Sequence, residues 1–284
     1  MADELDIGTE LASTAPDIVR ATVLMARYAR AKVAQKVLNA TADVKGPGDR
    51  VSITVMPAFT VQSVTNASGA VATKESSTVT SVEVIVNLWK YVRWDVVDLS
   101  QLQSAIDPYR AWLEGAGGAL GEDQDANLLG EQSNLTSYTD PGGSVPLDDK
   151  IIRKGRLLLD RANIPEEDRF FVLHPDGESD LLALPRFTEA QNTGFGRGVQ
   201  VSNGHISGLY GHPVVVTSLV KETSSLKRNV LLHKEALAIA TQKNFTIVPL
   251  AKVQLSKDTV AHILYGVKTV RASHGVVLSS APNA

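Results

Sequence analysis

The chain has 284 residues, 43% of them hydrophobic, and its 28 basic residues against 31 acidic ones leave a formal charge of −3. That size allows one large domain or two small ones around a sizeable core, and the charge gives no global attraction to nucleic acid or an anionic membrane surface. The lack of cysteine excludes a disulfide framework and thiolate metal ligands and fits a reducing compartment; the acidic start MADELDIGTE has no signal-peptide core, and no stretch approaches the ~20 apolar residues of a membrane span.

Residues 1–12 read as a loose arm. A helix is expected from near Pro16, capped by Ser13 or Thr14, to about Asn39, with Ile18, Met25, Ala29 and Val33 on its apolar face. Arg20, Arg27, Arg30, Lys32 and Lys36 give it a basic face, read as solvated rather than as a docking site for an acidic partner or packaged nucleic acid. The turn KGPGD at 45–49 leads into DRVSITVM, where Val51, Ile53 and Val55 alternate with polar residues as in a strand. From Val82 to Val96 the even positions are apolar except Lys90, which predicts one strand of about fifteen residues, roughly 50 Å long at ~3.3 Å per residue. Residues 57–78 between the two runs are small and polar and read as the distal part of an extended hairpin arm. A two-stranded ribbon is marginal alone in water, so the arm is expected to lie along another copy of the chain.

Asp98 and Gln101 resemble a capping box opening a short helix to Ile106. Asp107-Pro108 then restarts a helix of about 24 residues, with Tyr109, Leu113, Ala116, Leu120 and Leu128 on one stripe. Its Gly115, Gly117, Gly118 and Gly121 are read as a bend or a close crossing of another backbone. They do not make a dinucleotide fingerprint, which must follow a strand and open its helix. Residues 135–144 (LTSYTDPGGS) read as turn, and Pro146 to Ala162 as helix with Leu147, Ile151, Leu158 and Leu159 inward. Arg169 to Leu173 (RFFVL) reads as a buried strand. In the helix that follows, His174, Asp176, Glu178 and Asp180 have the density of a metal cluster, but a capping role for Asp176 and first-turn positions for the other acids explain them better.

From Arg186 to Pro213 the glycines, including GFGRG at 194–198, read as turns. Ser207 has His205 where a nucleophile elbow needs glycine, and His205 and His212 lack the further donors of a ligand set. Strands are expected at Val214–Val216, Val230–Leu232, Phe245–Val248, Val260–Arg271 and Gly275–Leu278, which makes the second half an α+β lobe. No catalytic, cofactor or metal constellation emerges.

KYVRWDVVDLSQLQSAIDPYRAW followed by GALGEDQDANLL, then RFFVLHPDGESDLLA, NGHISGLYGHPVVVTSLV, LLHKEALAIA and YGVKTVR, together resemble the major capsid proteins of tailed bacteriophages, which share the Hong Kong 97-type fold. The resemblance spans about residues 15–280 and rests on the order of blocks rather than on one strong motif. It implies an α+β capsid fold with an N-terminal arm and helix at 1–48, an extended hairpin loop at 49–97, a peripheral domain with a spine helix at 98–144, and an axial domain with returning peripheral strands at 145–284. It further implies a structural protein and not an enzyme, without cofactor, whose pentamers and hexamers close an icosahedral head around double-stranded DNA. Its place would be the virion capsid, after assembly in the host cytoplasm. The implied partners are other copies of itself, a scaffolding protein, a portal, a cementing protein and non-specifically packaged DNA, with no membrane. Some members cross-link neighbours through lysine and asparagine. Lys74 and Glu75 lie in the arm where such chemistry would occur, but no motif matches, and they are read with Arg27 and Arg30 as contacts between subunits. An encapsulin-like compartment shell is the nearest alternative, and a cytoplasmic enzyme using the glycine-rich segments a more distant one.

Overall fold

The computed structural model describes residues 30–43, 50–55, 61, 63, 79–97, 108–139, 145–185, 200–202, 204–249 and 256–281. Three sheets and three α-helices account for most of them. The first sheet runs β1 (Leu38–Asn39), β12 (Leu237–Pro249), β13 (Ser256–Thr269), β4 (Leu88–Val97). The second runs β5 (Thr136–Thr139), β14 (Gly275–Ser280), β11 (Leu226–His233), β6 (Arg169–Leu173), β9 (His212–Val216), β8 (His205–Leu209), β7 (Gln200–Ser202), with β10 (Glu222–Thr223) beside the start of β11. The third is a two-stranded ribbon of β2 (Arg50–Val55) and β3 (Thr80–Ile85), antiparallel with Val51 opposite Val84 and Ile53 opposite Val82. The helices are α1 (Pro108–Gly130), α2 (Asp149–Arg161) and α3 (Pro175–Leu182). Both large sheets are mixed, with parallel pairs β1·β12, β5·β14 and β6·β9.

The second sheet is buried on both faces, which is why its central strands read as continuous apolar runs. Side chains alternate along a strand, so Phe170 and Val172 of β6 enter one core and Phe171 and Leu173 another. The first core also takes Val230, Leu232 and Val277 and packs them against Leu113, Leu120 and Leu128 of α1 and Ile239, Ile263 and Tyr265 of the first sheet. The second takes Leu231, Val276 and Leu278 against Ile151, Ile152 and Leu159 of α2 and Leu181 of α3. A smaller third core lies under the ribbon, where Val51, Val84 and Val86 meet Ala40, Ala238 and Ala240. The small residues on that face of β12 let the ribbon sit close.

The expected fifteen-residue strand is in fact two. β3 ends at Ile85 and β4 begins at Leu88, and they belong to different sheets. The reason is Gly266 of β13: a Cβ built there would lie 2.2 Å from the Ile85 carbonyl oxygen, so the Ile85–Val86 backbone rests directly on β13 and leaves its own line to do so. The alternation survives the break, with Val84, Val86 and Trp94 buried and Ile85, Asn87, Trp89, Tyr91, Arg93 and Asp95 exposed. The long antiparallel pair is instead β12 with β13, of 13 and 14 residues. It joins the segment HKEALAIATQK to the expected strand near Phe245, whereas the sequence reading kept them apart.

Other expectations change at their edges. The helix expected to reach Asn39 has ended by Arg30, and Leu38–Asn39 pairs parallel with Ala238–Ile239. Thr136–Thr139, read as turn, is an edge strand parallel to β14. α1 starts at Pro108 as expected and runs unbroken for 23 residues through all four glycines; Gly118 makes room for the Arg30 side chain, 2.7 Å from where its Cβ would be, and Gly115 faces open space. What Gly118 meets is thus a side chain and not a crossing backbone, and Gly115 meets neither. The cap of α3 is His174, whose Nδ1 accepts from the Asp176 N–H, in place of Asp176 itself. The expected helix at 98–106, the arm tip apart from Val61 and Ser63, and GFGRG lie outside the described residues.

Candidate assembly surface

The chain before the ribbon is held to the body through α1. Asp125, 1% exposed, accepts the backbone N–H groups of Lys32 and Val33 on Oδ2 at 2.7 and 3.0 Å and of Ala34 on Oδ1 at 2.8 Å. Three consecutive amides held by one carboxylate are unavailable to a helix, so this residue explains why the helical pattern stops before Val33. Burial pushes the Asp125 carboxyl above its ordinary range, and the three donors pull against that shift. Gln124, which falls on the same stripe as Leu120 and Leu128, is also fully buried. Downstream, the Thr241 N–H donates to Thr41 Oγ1 at 3.1 Å, fixing the turn after β1.

The opposite side of the β3–β4 run is uncovered. Ile85, Trp89 and Tyr91 point outward and are 45%, 69% and 69% exposed. Trp89 and Tyr91 are alternate residues on one face of β4 and stand within reach of each other, and Ile85 is exposed at the end of β3, across the break at Val86–Asn87. Exposed apolar area costs roughly 25 cal/mol per Å² relative to burial, and contiguous exposed apolar surface of this kind marks contact sites. Arg93 and Asp258 extend the face with a two-bonded ion pair, Nε to Oδ1 at 3.1 Å and Nη2 to Oδ2 at 2.5 Å. Between β4 and the first turns of α1 lies an apolar crevice of about 370 Å³, lined by Val92, Trp94, Trp112, Ala116 and Ala119 among others. Trp112 stands at its edge, 56% exposed, and the buried Trp94 indole N–H has no acceptor among the described residues. From the arm, Val61 is 96% exposed.

Of the residues expected at subunit contacts, Arg30 is described and Arg27, Lys74 and Glu75 lie outside the described residues. Arg30 pairs with Glu122 of α1 at 3.1 Å, and its side chain is 56% exposed. The four residues with metal-cluster density do not converge. Glu178 accepts the Ile206 N–H at 2.9 Å and faces His205 at 3.3 Å, while Asp180 accepts the Leu147 N–H at 3.1 Å. Both acids are buried: Glu178 keeps the expected first-turn position and also ties the helix to β8, while Asp180 ties it to the segment before α2. His205 is a surface residue and His212 a buried one against Phe171. Burial lowers the pKa of His212, His233, His262 and His274. Of the glycines of the 203–213 segment, Gly204 and Gly211 serve turns, Tyr210 and Gly211 both having positive φ, 52° and 85°, as a two-residue hairpin between β8 and β9 requires, whereas Gly208 lies within β8. No helix among the described residues is long and apolar enough to cross a membrane.

Sequence reasoning missed two groupings. Asp125 was legible in principle, as a polar residue on the buried side of an otherwise apolar stripe. His233, Glu235 and His274 were not, since His274 lies 41 positions after His233.

No protein-family model and no curated protein matches the chain. Solved structures do. One from Mycobacterium phage Che8 is 25% identical with a TM-score of 0.68, covering 86% of this chain and 89% of that one. The capsid of the cyanophage P-SCSP1u is 13% identical with a TM-score of 0.68 over 87% of each chain. The SrpI encapsulin of Synechococcus elongatus PCC 7942 is 11% identical with a TM-score of 0.59 over 89% of this chain and 88% of that one. The mixed sheets and few helices fit the capsid fold that these structures share. Within that fold, the phage structures support the tailed-phage major capsid proteins, the group the sequence blocks resemble.

Proposed function

We propose that this chain is the major capsid protein of a tailed phage, and that its copies form the pentamers and hexamers of an icosahedral head around double-stranded DNA. The observation that carries the reading is the match to the Mycobacterium phage Che8 structure over nearly nine-tenths of both chains. The uncovered Ile85, Trp89 and Tyr91 support it physically, since a chain working alone has no use for an isoleucine, a tryptophan and a tyrosine held out in water. In this reading the Hong Kong 97-type parts are an arm and helix at 1–48, an extended loop at 49–97, a peripheral domain at 98–144 built on α1, and an axial domain from 145 with β12 and β13 returning to the peripheral sheet. The contact role falls to Lys74, Glu75, Arg27 and Arg30, the last keeping most of its side chain free beside Glu122. Scaffolding protein, portal and a cementing protein are the further partners, packaged DNA the non-specific content, the virion capsid the destination and the host cytoplasm the site of assembly.

Expression of the chain alone, followed by negative-stain microscopy, tests the proposal. Closed shells, tubes or sheets are expected, and a monomer at high concentration overturns it. The likeness to an encapsulin favours one second reading, a cargo-filled compartment. The contents of native particles separate the two: DNA fits a phage head, and a single enzyme bound through a terminal tail fits a compartment.

A further inference from the structure

The chain passes between the first and second sheets at two places that lie side by side. One is the link from β11 to β12, where His233 ends its strand and Glu235 sits in the turn; the other is the link from β13 to β14, closed by the 3₁₀ turn Ala272–His274. Backbone bonds already join the two links, with Val270 N–H and Arg271 N–H donating to the Ala236 carbonyl at 2.9 and 3.3 Å. Across this crossing the ligand atoms of His233, Glu235 and His274 all lie within 4.8 Å of one another, and the imidazole rings meet edge to face with centroids 5.6 Å apart.

We infer that His233, Glu235 and His274 bind one divalent transition cation of the Zn²⁺ class, with water completing the coordination. Two imidazoles and a carboxylate are an established ligand set for zinc. Tetrahedral ligands about 2.0 Å from a metal stand roughly 3.3 Å apart, so the three donors close by up to about 1.5 Å, mostly by a rotamer adjustment of the half-exposed Glu235. The surroundings suit the His274 ring. Its Nδ1 faces Ser273 Oγ at 3.1 Å, and donation there is the tautomer that leaves Nε2 as ligand. His233 Nδ1 accepts the Glu235 N–H at 3.3 Å, so its lone pair already points to the Glu235 side of the crossing, and a cation taken there replaces this one bond. Arg271 lies 3.5 Å from Glu235 Oε2 and leaves the other carboxylate oxygen for the cation; Asp168, close enough to act on His233, adds a second negative charge against Arg169. Because the ligands come from both links, a cation here clips the two crossings together and stiffens the junction of the sheets. The inference is independent of what the shell encloses.

The test uses the full chain without an affinity tag, stripped with chelator and titrated with Zn²⁺, with Co²⁺ as the spectroscopic probe and Mg²⁺ as the hard-cation control. One equivalent of Zn²⁺ is expected to bind, to raise Tm by several degrees and to slow amide exchange at residues 234–236 and 270–274. Co²⁺ gives the visible absorption of a four-coordinate ion, and Mg²⁺ has no effect. H274Q and E235Q are each expected to weaken binding by about tenfold or more while leaving the metal-free Tm nearly unchanged. Should H274Q not fold, E235Q decides alone, since its side chain is at the surface. Zn²⁺ binding unchanged in the variants, an equal response to Mg²⁺, or no binding by the native chain overturns the inference.

Discussion

The second sheet and the β2–β3 ribbon spend their apolar residues in different ways. In the second sheet both faces are covered from within the chain: Phe170, Phe171, Val172 and Leu173 are all below 3% exposed. The ribbon has one covered face, through Val51, Val84 and Val86, and one bare face, where Ile85 is exposed as Trp89 and Tyr91 are in β4. The first arrangement stabilises the subunit by itself. The second stabilises little of the subunit and leaves apolar surface for something outside it. Substitutions in the two regions therefore separate folding from assembly.

The largest loss of stability is expected in the doubly covered sheet. Phe171→Ala removes a ring that is 0% exposed at the middle of β6, between α2 and the β9 and β11 neighbours, and costs about 3–5 kcal/mol. Urea unfolding of the unassembled subunit measures it; a cost under about 1 kcal/mol would mean that this core collapses around the gap.

Next comes the junction that holds the start of the chain. Asp125→Ala leaves the amides of Lys32, Val33 and Ala34 without their acceptor in a buried site, at a cost of about 3 kcal/mol. Amide exchange at residues 32–34 is expected to speed up first, before global unfolding, because those three protons lose their partner directly.

A smaller effect follows acidification. His212 and His262 have folded pKa values lowered chiefly by burial, with Arg169 adding to the effect at His212 and Lys243 at His262. Above about pH 6.5 both rings are neutral in either state and the full stability is present. As pH falls through 6.5 toward the folded values, the unfolded chain binds protons that the folded one refuses, and stability drops. The urea midpoint is expected to decline from about pH 7 to pH 5, and the double variant H212N/H262N to flatten that slope. An unchanged slope in the variant would move the cause to other groups.

The same contrast explains what the sequence revealed. Alternation made the inward and outward faces of residues 82–95 readable, and the continuous run RFFVL announced a strand covered on both sides. Pro108 is the first residue of α1, as its local chemistry announced. Distant partners decided the rest. The break between β3 and β4 belongs to Gly266, some 180 residues later, and the early end of the first helix belongs to Asp125, more than 90 residues away. Thr136–Thr139 has the composition of a turn and becomes a strand only because β14 offers it an edge. The candidate surface was legible as outward aromatic residues on a strand, whereas the crossing at His233 and His274 exists only once the two sheets are in place.

The sharpest separation of the two regions comes from changes that leave the subunit alone. Trp89→Ser with Tyr91→Ser alters side chains that are 69% exposed, so each is expected to change subunit stability by no more than about 0.5 kcal/mol. Removal of residues 57–78 similarly spares the core under the ribbon, which rests on Val51, Val84 and Val86. Both variants are expected to melt like the native subunit and to form no shells by microscopy or sedimentation. If the deletion instead lowers the melting temperature as Phe171→Ala does, the arm is part of the subunit's own core and not a strap to its neighbour. If the serine variant still assembles, the outward line of β4 is solvent surface in the shell, and the contact must be carried by the arm.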